Sequence, residues 1–230
     1  MIDGVKVVCL IPARGGSKSI HRKNLQLLGE KPLLAWPIDT ALSTPEIDTV
    51  FVSTDDIEIK QVAMQYGAKI HDRRPDLSTD SAIVADTVRD FWEYQTKLEQ
   101  DLKVLVLLEA TSPFRSVENV STCIQKLISQ GFDSVATFQE AEVNPERTWR
   151  IEDGTPRPFI EGSIPWKPRQ LLSKAYQLNG SVYAFFPDRL PQDSPSLLFG
   201  NAGSVIMENK VIDIDTKLDL EIANALLRRE

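Results

Sequence analysis

The sequence predicts an α/β fold with a mainly parallel central sheet. Short apolar runs at 5–11, 49–53, 102–108, 134–138 and 181–186 alternate, up to residue 140, with stretches of helical periodicity, the rhythm of βαβ units. Directly after the first run comes Pro12-Ala13-Arg14-Gly15-Gly16-Ser17-Lys18, a loop of glycines and cations at the end of a first parallel strand, where such sheets gather ligands. Several helix-like stretches also carry recognisable starts and stops.

The helices are expected at about 32–43, 56–66, 80–98, 116–130 and 216–229. Ser116 leads into Val117-Glu118-Asn119, and Thr216 with Asp219 three residues later makes a capping-box pattern. Thr79 or Asp80 is a candidate cap for the third helix, while Gly67 and Gly131 fall where helices stop. The stretch after Asn144 breaks the rhythm with Pro145, Pro156, Pro158, Pro165 and Pro168. A compact domain rarely keeps so long an irregular segment without a use, so 144–176 is expected to be an extended arm or lid that packs on a second subunit. The 230 residues are otherwise expected to form a single domain.

A net charge of -7 argues against a general nucleic-acid binder, whose affinity needs a basic face that releases counterions. A polyanionic ligand must then be held by a local cationic cluster. Cys9 and Cys123 are far apart, without metal-ligand spacing, and are expected to be small core residues in a reducing compartment. The first apolar run is too short to span a bilayer and is followed by Arg14 and Lys18, so a cytoplasmic, membrane-free protein is expected. His21 and His71 are isolated, with no metal or triad partner in sight.

The glycine-basic loop is the most informative segment. Consecutive glycines let backbone N–H groups approach a ligand, and Arg14, Lys18, Arg22 and Lys23 supply positive charge, so phosphate is the expected occupant. It is neither a Walker loop nor a G-x-G-x-x-G turn. Near the other end of the chain, Asp213 and Asp215 are two apart in a run with strand-like alternation, so their carboxylates share a face and suit Mg²⁺. The alternative is that Asp215 caps the last helix and Asp213 is solvated. Asp55, at the end of the second strand, either orients ligand or loop groups or caps the next helix.

The loop stretch from Ile11 to Lys18, continuing to Lys23-Asn24, resembles the acylneuraminate cytidylyltransferases. The likeness recurs in family order at Val52-Ser53-Thr54-Asp55, at 73–80, at Thr111-Ser112-Pro113-Phe114-Arg115, at Arg169-Gln170, at 179–183 and at 212–216. It implies a Rossmann-like three-layer nucleotidyltransferase fold, and an enzyme that moves a nucleotide monophosphate from CTP to the anomeric hydroxyl of a sialic-acid-like 2-keto sugar acid. By resemblance Arg14 and Lys23 are the principal triphosphate contacts, with Ala13, Gly15, Gly16, Ser17, Lys18 and Asn24 completing the loop. Arg73 and Ala82 reach the base, or else 73–80 is a charged surface loop before a helix. Asp213 and Asp215 hold Mg²⁺, and Asp215 or a metal-bound water takes the proton. Glu109, Arg147, Arg169, Asn179 and Tyr183 face the sugar, and the partner is a second copy in a homodimer.

The sequence departs from that family at several positions. Glu109-Ala110 replaces a Gln-Pro pair, and a carboxylate cannot donate the hydrogen bonds an amide can. Relatives with an acidic residue here include some that activate a legionaminic-type sugar with GTP, which is the alternative activity; a non-catalytic nucleotide-binding regulator and a transferase acting on sugar 1-phosphates are the others. Arg147 stands where a lysine is expected, Val84 replaces a serine near the base, Leu197-Leu198 replace a phenylalanine pair, and Gln177 replaces an arginine contributed by the partner subunit.

Overall fold

The computed structural model describes residues 2, 4–99, 101–208 and 211–228. Its centre is a seven-stranded sheet. The strands, in chain order, are β1 (Lys6–Pro12), the short pair β2 (Leu27–Leu28) and β3 (Lys31–Pro32), β4 (Thr49–Thr54), β5 (Lys69–Asp72), β6 (Leu102–Leu107), β7 (Ser134–Glu140), β8 (Trp149–Glu152), β9 (Thr155–Pro158), β10 (Tyr176–Phe185) and β11 (Ala202–Ile206). The helices are α1 (Ala35–Leu42), α2 (Ile57–Gln65), α3 (Val84–Leu98), α4 (Val117–Ser129) and α5 (Lys217–Leu227).

The order across the sheet is β11-β7-β10-β6-β1-β4-β5. β6, β1, β4 and β5 run parallel, β11 runs parallel to β7, and β10 alone is reversed between β6 and β7. From β1 the chain first builds outward through β4 and β5, then returns to lay β6 on the other flank of β1. The loops leaving β1 and β6 therefore diverge and open a crevice beyond the carboxyl ends of those strands, the place where parallel sheets bind ligands.

Alternation along β1 sorts the core into layers. Val7, Cys9 and Ile11 point to one face and pack with Ile38 of α1, Ile59 and Ala63 of α2, and Val120, Ile124 and Leu127 of α4. Val8 and Leu10 point to the other and meet Val88, Phe91 and Trp92 of α3. The result is the expected three-layer α/β sandwich. α5 lies apart, over the β2–β3 pair, through Leu28, Leu33, Ile214 and Ala223. Cys9 and Cys123 are free and buried.

Helix starts follow local chemistry. Ser116 and Asn119 form a full capping box at α4, as do Thr216 and Asp219 at α5, each worth about 1 kcal/mol. Gly67 and Gly131 hold the left-handed conformation just past α2 and α4. Three expectations change. α1 begins at Ala35, because Lys31 and Pro32 are drawn into pairing with Leu28 and Leu27. α3 begins at Val84 without a side-chain cap, and neither Thr79 nor Asp80 serves it. Residues 211–215 belong to no strand; Ile214 is buried and its N–H donates to the carbonyl of Thr111, which pins the segment beside the loop after β6. The expected last helix ends at Leu227, and position 229 lies outside the described residues.

Within 144–176 the chain folds a two-stranded ribbon, β8 with β9, turned by Asp153 and Gly154, both at positive φ. Asp-Gly is the strongest short hairpin signal a sequence offers, and the density of prolines around it hides the strands. No helix among the described residues is long and apolar enough to cross a membrane.

Candidate active site

The loop after β1 is held from below. The N–H of Ala13 donates to the Ser53 carbonyl at 2.9 Å, that of Gly15 to Asp55 Oδ1 at 3.1 Å, and the buried Asn24 side chain to the Arg14 carbonyl at 3.1 Å. Asp55 thus fastens the loop, while Asp56, one residue on, caps α2. The two glycines have different reasons. A Cβ at Gly15 would come within 2.8 Å of Asp56, so the start of α2 demands glycine there; at Gly16 a Cβ would meet nothing within 4 Å, leaving that backbone open to a ligand.

The cations of the loop divide. Arg14, Ser17, Lys18, Lys23 and Asn24 line a cleft of about 640 Å³, within the range of small-molecule sites, and Arg73, Ala82 and Val84 line its far end. Arg22 does not join them, because its guanidinium turns away to Glu58. Arg14 Nη1 and Lys18 Nζ both grip Asp80, the former at 2.9 Å, and those two cations hold the Asp80 carboxyl below its ordinary range. Asp80 is therefore an internal anion where two cations await one, and that pairing replaces the helix-capping role its position suggests.

Asp213 and Asp215 line the same cleft, on a wall that Lys23 reaches. Lys23 Nζ bonds Asp215 Oδ1 at 2.9 Å, with the lysine side chain 13% exposed and the aspartate 69%. Asp215 does not cap α5: Thr216 does, and Asp215 contributes only its backbone N–H, to Asp219 Oδ2. Both carboxylates remain exposed with Ile214 buried between them, so they share a face without belonging to a ladder.

Glu109, at the turn after β6, completes this wall. Burial, followed by the negative charges of Asp213 and Asp215, pushes its carboxyl up to about 7, with Arg115 and Lys23 pulling the other way. The folded protein thus holds this proton more tightly than the unfolded chain, whose ordinary value is 4.5, so the stability it contributes is complete below that value and lost as pH rises through about 7. Glu109→Gln is expected to stabilise the metal-free protein by about 2 kcal/mol at pH 8, a gain that shrinks toward pH 5. Thermal melts at the two pH values check it; equal melting temperatures at pH 8 would count against the buried charge.

The exposed pair Asp213 and Asp215, with only Lys23 bonded to them, fits a divalent ion. Among the described residues no group of three or more His, Cys, Asp or Glu side chains is arranged to hold a metal alone. That is the donor set Mg²⁺ accepts, since it takes one or two carboxylates and fills its shell with water and substrate phosphate.

A second cleft, about 850 Å³, adjoins the first and shares Glu109 and Asp213 with it; Gln139, Gln177, Tyr183 and Asp219 line it further. β10 opens toward it through a bulge at Asn179-Gly180, where Gly180 sits at φ 68 and a Cβ would stand 3.1 Å from Glu109 Oε2. Burial raises the Tyr183 hydroxyl to about 12, with Glu109 and Asp213 adding to it. Asn179 lines the cleft, but its amide is consumed internally: Oδ1 accepts from Thr137 Oγ1 at 2.7 Å and Nδ2 donates to the Met207 sulfur at 3.2 Å. Its side chain ties β7 to β10 rather than waiting for a ligand.

Arg147 and Arg169 are not brought to either cleft. They line a hollow at the base of the arm with Glu140, Asn144 and Lys174, which meets the second cleft at Glu142; there Arg147 Nη2 donates to the Lys167 carbonyl at 2.8 Å and Arg169 lies 3.6 Å from Glu140. Leu197 packs into the core face of α3 and lines neither cleft. Gln177 accepts from the Glu142 N–H. Sequence reading missed Gln139, which carries no motif, and it gave Asp219 and Asp80 only as helix-capping residues, not as the lining of a cleft or the partner of Arg14 and Lys18.

A sequence model described as cytidylyltransferase matches residues 8–153. N-acylneuraminate cytidylyltransferase A of Danio rerio is 38% identical over 228 residues, covering 97% of this chain and 51% of the relative. The pseudaminic acid cytidylyltransferase of Campylobacter jejuni is 32% identical over 228 residues, covering 97% of each chain. The chain thus spans about half the length of the vertebrate relative and nearly all of the bacterial one. Among solved structures, a CMP:2-keto-3-deoxy-manno-octonic acid synthetase complexed with CTP superposes with a TM-score of 0.72 at 22% identity, covering 97% of this chain and 99% of that one, a likeness of fold.

Proposed function

Because this chain belongs to the cytidylyltransferase family, we propose that it transfers a nucleotide monophosphate from CTP to the anomeric hydroxyl of a sialic-acid-like nine-carbon 2-keto sugar acid, releasing pyrophosphate. The observation that carries this reading is the shared cleft, in which Arg14 and Lys23 from the loop after β1 face Asp213 and Asp215.

In this reading the triphosphate displaces Asp80 from Arg14 and Lys18, since polyphosphate offers those cations more charge than one carboxylate. Gly16 gives its backbone room, and Arg73 with Ala82 borders the base. The sugar sits in the adjoining cleft beside Glu109 and Tyr183, which sets its hydroxyl against the α-phosphorus. The new O–P bond forms as the bond from that phosphorus to the bridging oxygen breaks, and pyrophosphate carries the electron pair away. Charge grows on the phosphoryl oxygens, where Lys23 and Arg14 stabilise it more in the transition state than in the ground state. Asp215 Oδ2, which has no hydrogen-bond partner among the described residues, or a metal-bound water would take the hydroxyl proton. Mg²⁺ on Asp213 and Asp215 would supply further neutralisation of phosphate charge.

Glu109 supports a second reading, GTP-dependent activation of a legionaminic-type sugar, because a carboxyl stands at a cleft where an amide is usual. The test is pyrophosphate release from purified protein with Mg²⁺, CTP or GTP, and a panel of nine-carbon 2-keto acids. Release with CTP and one or more panel sugars is expected; silence with both nucleotides removes the enzymatic reading.

A homodimer built on the 144–176 arm belongs to the same proposal. The arm exposes Ile151, Phe159, Leu171 and Trp166, the last 85% exposed, more apolar surface than a free arm would keep in water. Light scattering at micromolar concentration is expected to give twice the 25.8 kDa chain mass, and a monomer would count against it. A cytoplasmic location agrees with the two free thiols, and recovery of the native protein outside the cell would contradict it.

A further inference from the structure

Arg73 borders the cleft almost wholly enclosed, the residue 8% exposed. Burying a charge is costly unless something holds it, and here the holder is specific. Nη2 donates to the Ser53 carbonyl at 2.7 Å and Nε to Ser53 Oγ at 3.0 Å, while Nη1 has no hydrogen-bond partner among the described residues. Ser53 Oγ is in turn 2.9 Å from His71 Nδ1, and His71 Nε2 faces Asp90 Oδ2 at 3.4 Å. Ser53 and His71 are direct partners across the β4–β5 ladder, so the sheet itself sets this contact.

The donors fix the direction of the chain. Nε of Arg73 always carries its hydrogen, so Ser53 Oγ accepts there, and the hydrogen of this fully buried hydroxyl has no acceptor among the described residues other than His71 Nδ1, so it donates to that nitrogen. Nδ1 is then unprotonated, and the ring proton sits on Nε2, toward Asp90. Phe91 and Tyr94 wall the ring, with Phe91 edge-on at 5.3 Å. Asp90, Asp72 and Arg73 are the charged groups facing it, and Arg74 shares Asp90. Burial holds the imidazole below its ordinary value, which agrees with a neutral ring at physiological pH.

We propose that Asp90, His71 and Ser53 form a buried relay whose task is to lock Arg73 in the orientation that receives the nucleotide, making Ser53 and His71 positioning residues. This rests on the nucleotide-binding reading above. Arginine has a long, rotamer-rich stem, and two anchors on one serine leave the two Nη1 hydrogens and the second Nη2 hydrogen for a ligand, all in one fixed plane. Removing the acceptor behind that serine frees its hydroxyl to rotate away, and the guanidinium loses its fixed aim before the nucleotide arrives.

The test compares Ser53→Ala, His71→Phe and His71→Asn with the parent in steady-state kinetics, in calorimetric titration with CTP and Mg²⁺, and in thermal melts. Phenylalanine keeps the ring bulk against Phe91 but offers no acceptor; asparagine keeps an acceptor near the place of Nδ1. Ser53→Ala and His71→Phe are expected to raise the nucleotide KM and Kd about tenfold, the size of one hydrogen bond to a charged group, with kcat within about twofold. His71→Asn is expected to recover most of that loss. Folded variants with unchanged Kd overturn the relay while leaving the function intact, as does a His71→Asn variant no better than His71→Phe. A parent protein that binds no nucleoside triphosphate overturns both. Nitrogen chemical shifts of the His71 ring give a readout independent of turnover: an Nδ1-protonated ring at pH 7 refutes the chain of donors.

Discussion

Lys23→Ala is expected to lower turnover by about 10²–10³-fold while the protein stays folded, the loss typical of removing one fixed donor from a developing oxyanion. Lys23 lines the cleft and is the cation bonded to one of the candidate metal-holding carboxylates, at 2.9 Å from Asp215. Without it, Asp213, Asp215 and Glu109 are left on one wall with less compensating charge, and phosphate must approach against them. Stability should move little, since the pair is open on the Asp215 side and such pairs contribute about 0–1 kcal/mol. Lys23→Arg keeps the charge but not the point-like ammonium, and should fall between the two. Pyrophosphate release, measured beside a thermal melt, checks the split; an alanine variant keeping more than half its turnover would remove Lys23 from the chemistry.

Asp213→Asn and Asp215→Asn, singly and together, are expected to raise the Mg²⁺ concentration giving half-maximal activity by about tenfold or more and to lower maximal turnover by about 10²-fold or more. Each amide keeps the shape and removes the charge. The end of α5 should not notice, because its capping box uses Thr216 and Asp219 and takes only the backbone N–H of Asp215. A variant that lost melting temperature but kept its Mg²⁺ dependence would give these aspartates back to the structural role that the sequence alone left open. Activity titrations against Mg²⁺, with a melt at each end of the series, separate the outcomes.

What the sequence disclosed and what it hid divide along physical lines. Buried strands carry continuous apolar runs, so β1, β4, β6 and the inner part of β10 were legible. β5 and β11 were not, because they are the two edges of the sheet: Lys69-Ile70-His71-Asp72 and Ala202-Gly203-Ser204-Val205-Ile206 are covered on fewer sides and need no such run. Side chains that act through local chemistry were legible too, as with Thr216 and Asp219. Those that act across long sequence separations were harder. Nothing near Asp80 announces Arg14, 66 residues away, and nothing near Asn179 announces Thr137 and Met207. Arg147 and Arg169 carry the right chemistry for an acidic sugar, yet within one chain the fold sends them to the root of the arm.

The single reversed strand decides where the arm is rooted. β7 ends at Glu140 on the rim that carries both clefts, and because β10 runs the other way it begins at Tyr176, directly opposite Glu140 on that same rim. Ala141 and Ala175 close the gap with a hydrogen bond of 2.9 Å, and Asn144 reaches the Ser173 carbonyl. The excursion between them therefore leaves and re-enters side by side, three residues of β10 before the bulge that approaches Glu109, like a handle with both feet planted on the lip of the bowl. A force or a neighbour acting on that handle is delivered to the lip and not to the floor of the sheet.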